Sequence, residues 1–250
     1  MKGILIAAGR GRRLRPLTDD VPKCYAEIGG RRILDWCLEA LTSAGLDPIV
    51  FVGGYRMARV QQDYPQLHFR HNADWERNNI LASLLRAEAD MADGFVSSYS
   101  DILYRPVAVQ RLVASRADIA LVVDTAWRSR YAPRTEHPES DGEKVRMAGS
   151  RIVEIRRTIP PSEAPAEFTG VARFSAAGAR ILLEHYHRAR LARPDVGEEG
   201  LPFIKWYMIN LLQAMLEAGV EMEAVETHGD YFEIDTTQDY LLAQQGWRCR

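Results

Sequence analysis

Short apolar runs alternate with helical patterns along the first half of the chain, and this alternation restricts the fold more than any other feature. The runs at 3–7, 48–52, 67–70, 94–98 and 119–123 read as buried strands. Between them, 33–44, 56–63, 79–90 and 106–115 carry apolar residues at the helical period. Strand following helix in this order predicts a parallel sheet with helices on both faces. Phosphate ligands of such sheets bind at the carboxyl ends of the strands.

From about residue 124 the pattern changes. The stretch 127–142 is polar, rich in Arg, Pro and Glu, and has no clear period. A hairpin is expected from 144–147 and 152–156 about Gly149-Ser150, then a proline-rich loop over 158–166. A strand at 168–174, helices at 176–192 and 203–218, strands at 221–226 and 231–234 and a helix from Thr237 complete the reading. There is no internal repeat.

The first strand runs directly into Gly9-Arg10-Gly11-Arg12-Arg13-Leu14-Arg15, with Pro22-Lys23 behind it. Glycines let backbone N–H groups approach an anion closely, arginines add forked donors and a lysine adds a mobile charge. That combination suits a polyphosphate. The third glycine of a dinucleotide fingerprint is missing, and so is the Gly-Lys-Ser/Thr of a P-loop. Asp101 and Asp235 each follow a predicted strand. Carboxylates at strand ends can converge on magnesium. Taken alone, their spacing fits helix caps better than metal ligands, Asp235 above all, because Thr236-Thr237 follow it.

Composition narrows the class. The chain has 250 residues, 46% hydrophobic and 26% charged, as in a globular protein with a sizeable core. A net charge of -2 gives no reason to expect nucleic acid or a membrane surface as partner. Cys24, Cys37 and Cys249 form no metal or redox spacing. No apolar run could span a bilayer and no signal-peptide pattern opens the chain, so a cytoplasmic location is expected. The six histidines read as structural or surface residues, and no Gly-x-Ser-x-Gly elbow suggests covalent catalysis.

Ala7-Ala8-Gly9-x-Gly11-x-Arg13-Leu14-x-Pro16-Leu17-Thr18 followed by Pro22-Lys23 resembles the opening of the sugar-phosphate nucleotidyltransferases. Asn78-Asn79-Ile80-x-x-Ser83-Leu84 is similar to a narrower branch, the phosphocholine and phosphonate cytidylyltransferases. Asp124 with Trp127 and Tyr131, Glu143-Lys144-Val145, 167–172 and 229–239 extend the likeness over nearly the whole chain. The resemblance implies a Rossmann-like, GT-A-type α/β fold: one domain with a mostly parallel central sheet flanked by helices. Its nucleotide-binding part would be about 1–124 and 219–250, and a small acceptor lobe about 125–218. It implies transfer of CMP from CTP to a small phosphorylated or phosphonate acceptor, with pyrophosphate released.

By the same resemblance, Ala8, Gly9, Arg10 and Gly11 hold the nucleotide, Arg13 and Lys23 activate its phosphates, and Asn79 and Ser83 read the base. Asp101 and Asp235 bind magnesium. Trp127, Tyr131, Arg134, Lys144, Glu167 and Glu233 fall on the acceptor side. There the aromatic faces suit an ammonium group, and the arginines leave open an extra acid group on the acceptor. The family leaves room for a homodimer. Two competing readings are a hexose-1-phosphate nucleotidyltransferase using UTP, dTTP or GTP, and a non-catalytic nucleotide-binding domain of the same fold.

Overall fold

Strand β1 (Lys2–Ala7) is buried along nearly its whole length and lies inside a nine-stranded sheet. The computed structural model describes residues 1–192 and 200–247. A short hairpin of β2 (Glu27–Ile28) and β3 (Arg31–Arg32) leads into α1 (Ile33–Ser43). Then come β4 (Ile49–Gly53), α2 (Met57–Asp63), β5 (His68–His71), α3 (Ile80–Leu84) and β6 (Phe95–Tyr99). β7 (Ile102–Tyr104), α4 (Pro106–Ala114), β8 (Ile119–Asp124) and α5 (Trp127–Tyr131) follow. β9 (Lys144–Ala148), β10 (Arg151–Arg156), β11 (Ala166–Phe174) and α6 (Ala176–Ala192) come next. α7 (Met208–Glu217), β12 (Glu223–Thr227), β13 (Tyr231–Glu233) and α8 (Thr237–Gly246) end the chain.

The sheet order is β5-β4-β1-β6-β11-β8-β12-β10-β9. β5, β4, β1 and β6 run parallel, as does the pair β8 and β12. β11, however, is antiparallel to both β6 and β8, and the β9–β10 hairpin is antiparallel to its neighbours. The sheet is therefore mixed, not mostly parallel. Parallel pairing needs a crossover of the helical kind, and β11 is reached from a hairpin and a proline-rich loop instead. Every residue of β11 but one is buried, so its apolar run carries no record of strand direction.

β11 also crosses the expected division of the chain, because it belongs to the segment 125–218 yet sits in mid-sheet. What that segment keeps for itself is a small core of Trp127, Tyr131, Ile159 and Ala164. The polar stretch 127–142 is less irregular than its sequence suggests: it contains α5 and a 3-10 turn at Glu139–Asp141.

Two pairings place the site. Ile6 is in register with Tyr99 across β1 and β6, so the loops after these strands emerge side by side. β13 pairs with β7, Glu233 opposite Ile102, and Ile234 N–H donates to Asp101 C=O at 2.9 Å. Asp101 and Asp235 are thereby brought together from distant parts of the chain.

Candidate functional site

The loop after β1 is anchored at two points. Leu14 is fully buried within the 3-10 turn Arg12–Leu14, and Thr18 donates from its hydroxyl to Gly11 C=O at 2.8 Å. Gly11 has φ +70°, and a Cβ there would lie 2.8 Å from Lys23 Cγ and 2.9 Å from Cδ. Only glycine supplies both the left-handed backbone and room for the lysine stem. Lys23 therefore lies flat beneath the loop and reaches the strand ends.

There its ammonium meets two carboxylates. Lys23 Nζ donates to Asp101 Oδ2 at 2.7 Å and also to Asp235 Oδ1. Asp235 Oδ2 accepts from Arg13, whose Nη1 is 3.7 Å from Asp141. Burial alone would lower the Lys23 pKa. The charges of Asp101 and Asp235 outweigh it and hold the ammonium protonated well above its ordinary range. Burial likewise works against ionisation of Asp235, but Lys23 and Arg13 hold its carboxyl well below the usual range. Glu233 moves the other way: burial and the neighbouring Asp235 and Asp101 push its carboxyl well up.

Two cavities meet at this cluster, with Asn79, Ile80 and Asp101 lining both. One, about 190 Å³, runs from Ala8, Gly9 and Gly11 past Lys23 to Trp75, Asn78, Asn79 and Ser83. Asn79 caps α3, accepting from Ile80 N–H at 2.9 Å, and donates to Lys205 C=O. Ser83 Oγ accepts from Asn72, which exchanges two hydrogen bonds with Asn78. Cys24 lines the same cavity, and burial pushes its thiol up to about 12, so it is no nucleophile at neutral pH. The second cavity, about 250 Å³, extends from Arg13, Asp101 and Asp235 to Tyr99, His137, Glu143, Arg157, Tyr207 and Glu233.

Carboxylate oxygens of Asp101 and Asp235 already converge on one cationic atom, Lys23 Nζ. An all-oxygen pair of this kind fits a hard cation such as magnesium. A wider groove of about 710 Å³ lies by the amino ends of β8 and β12, lined by Arg116, His185 and Glu221, and contains none of these residues.

Residues 3–189 match the model of the MobA-like NTP transferase domain. The chain belongs to that family. It is 31% identical to the CTP:phosphoglutamine cytidylyltransferase of Campylobacter jejuni, covering 96% of this chain and 97% of the relative. The UTP–glucose-1-phosphate uridylyltransferase of Haloferax volcanii is 26% identical, over 98% and 96% of the two chains. Among solved structures, the CTP:phosphocholine cytidylyltransferase of Streptococcus pneumoniae superposes with a TM-score of 0.74, 19% identity and 99% coverage of both chains. That likeness bears on the fold.

Within this NTP transferase, the residues expected around the acceptor divide into two groups. Glu233 lines the cavity beside Asp235. Trp127, Tyr131, Arg134, Lys144 and Glu167 do not; all five are buried. Trp127 donates from Nε1 to Ala164 C=O at 3.1 Å, and Tyr131 donates to Glu167 at 2.6 Å. Lys144 donates to the carbonyls of Glu139 and Gly142, both at 3.1 Å, and so ties down the loop that carries Asp141 and Glu143. Arg134 pairs with Asp239 at 2.8 Å and donates to Glu233 C=O. Arg10 lines neither cavity: it lies 5.1 Å from the centre of the Tyr55 ring and 3.7 Å from Asp19. Sequence reasoning missed Trp75, Arg157 and Tyr207. It also set His137 aside, although that side chain lies 3.6 Å from Glu233 and lines the second cavity. An isolated arginine or tyrosine carries no spacing signal that marks it out.

Proposed function

We propose that this chain is a CTP-dependent cytidylyltransferase acting on a small phosphorylated or phosphonate acceptor and releasing pyrophosphate. The observation that carries this reading is Lys23 held between Asp101 and Asp235 where the two cavities meet. One cavity receives the nucleotide, the other the acceptor. The Campylobacter relative, named for CTP and phosphoglutamine over nearly the full length of both chains, supports it. No helix among the described residues is long and apolar enough to cross a membrane, and we place the enzyme in the cytoplasm with its nucleotide substrate.

In the reaction, an acceptor phosphate oxygen attacks the α-phosphorus of CTP in line. The new O–P bond forms as the bond to the β-phosphate breaks, and pyrophosphate leaves with the electron pair. A phosphate dianion is already nucleophilic, so the protein must position reactants and neutralise charge rather than supply a base. Backbone N–H groups of the Gly9–Gly11 loop cradle the phosphates. Lys23 turns its ammonium from the carboxylates to the α- and β-phosphates, and Arg13 balances charge on the departing pyrophosphate. Asp101 and Asp235 would hold magnesium, which when bound supplies further neutralisation of phosphate charge. Asn79 and Ser83, with Trp75 and Asn78, bound the base.

Pyrophosphate release measured with each of CTP, UTP, dTTP and GTP against a panel of phosphorylated acceptors tests this reading. CTP is expected to be turned over best. Equal or better turnover with another nucleotide would replace it by the hexose-1-phosphate reading.

A further inference from the structure

The acceptor cavity holds a loosely matched pair of charges among the residues that line it beyond Asp101 and Asp235. Arg157, just past β10, lies with its guanidinium 3.9 Å from the centre of the Tyr207 ring. Its Nη2 is 3.6 Å from Glu143 Oε1, beyond hydrogen-bond distance. Its Nε is buried with no hydrogen-bond partner among the described residues, while 31% of the side chain stays exposed. The other oxygen of Glu143 accepts from Tyr99 at 3.2 Å. A cation and a carboxylate thus stand side by side in the cavity wall, neither fully engaged.

The aromatic groups narrow the ligand further. A quaternary ammonium has no N–H to donate and would be held chiefly by a free aromatic face. The Tyr207 face is taken by Arg157, Tyr99 is buried edge-to-face with Phe168, and Trp127 is buried against Ala164. What fits the pair is a ligand with both charges of its own, set close together.

We propose that Arg157 and Glu143 select an acceptor whose end remote from the phosphate carries a carboxylate and an ammonium together, as in a phosphorylated amino acid. This rests on the cytidylyltransferase reading. Arg157 binds the carboxylate through its forked donors, Glu143 takes the ammonium, and Tyr207 holds the guanidinium plane in position.

Matched acceptors test the idea without any mutation. O-phosphoserine and phosphoethanolamine differ by one carboxylate, as do O-phosphohomoserine and 3-aminopropyl phosphate. In at least one pair the acid-bearing member should show kcat/KM about 10- to 100-fold higher, mainly through KM, as for a hydrogen bond between charged groups. Arg157→Lys, which keeps the charge and loses the fork, should shrink that ratio, and Arg157→Met should bring it close to one. A merely structural arginine would lower both members alike and leave the ratio unchanged, which overturns the inference. If Arg157→Met does not fold, the wild-type ratio and Arg157→Lys decide. Phosphoethanolamine or phosphocholine used as well as the acid-bearing phosphates overturns it too, as does no turnover of either acid-bearing phosphate with any nucleotide. Running every acceptor with all four NTPs reads nucleotide choice separately, so failure of the cytidylyl reading is distinguished from failure of this one.

Discussion

Two clusters in this protein each set one cation between two carboxylates, and their surroundings are opposite. Lys23 sits between Asp101 and Asp235 at the meeting point of two cavities, with Asp101 26% exposed. Arg130 sits between Asp124 and Glu167 with none of the three more than 5% exposed. In the buried cluster nearly every acceptor is used. Asp124 Oδ1 also accepts from the backbone N–H groups of Ala126 and Gly229, and Glu167 accepts from Tyr131. In the open cluster Arg13 also donates to Asp235, and the Lys23 ammonium stands at the end of a flexible stem beside a cavity. The presence of a cation between two carboxylates therefore does not tell the two clusters apart. Access to a cavity does.

Three experiments would break or sharpen that contrast. The largest effect is expected from Arg130→Met, which leaves Asp124 and Glu167 buried without their cation. Removing one partner of such a pair costs about 3–5 kcal/mol. Denaturant unfolding should show that loss, with kcat/KM of the folded fraction changed only a few-fold; an unaltered unfolding midpoint would mean the cluster carries no structural weight.

Lys23→Ala should behave in the reverse sense. The melting temperature should move little, while kcat falls about 100- to 1000-fold, the usual cost of one lost electrostatic contact in a transition state. Activity within a few-fold of wild type would remove Lys23 from the mechanism and leave the open cluster as a mere ion pair.

The smallest effect belongs to Trp127→Phe. It leaves the Ala164 carbonyl without its donor, a cost of about 1–3 kcal/mol, and should leave the acceptor KM unchanged. A tenfold rise in that KM with normal stability would return Trp127 to the acceptor site.

Trp127 also illustrates what was legible in the chain and what was not. An aromatic residue among arginines, in a stretch without period, reads as a ligand contact. Its burial against Ile159 and Ala164 depends on the proline-rich loop folding back over α5, which no local pattern announces. Arg157 is the converse case. It looks like one more basic residue in an arginine-rich stretch, and becomes distinctive only once Tyr207 and Glu143 arrive from other elements. The glycine–arginine loop was legible because its form lies in contiguous backbone. Gly11 is needed for its own φ and for the stem of Lys23, only twelve residues on.

The sequence by itself determined the alternating α/β pattern, the glycine–arginine loop with its lysine, and the two strand-end aspartates, since each is written in local spacing and backbone demand. Tertiary structure alone decided the direction of β11, because a run buried on both faces looks the same read either way. It also decided which charges face a cavity and which are sealed. Asp101 with Asp235 and Asp124 with Glu167 are alike as residues. Only the pairing of β13 with β7 opens the first two onto a site, and only the packing of α5 over the sheet closes off the second.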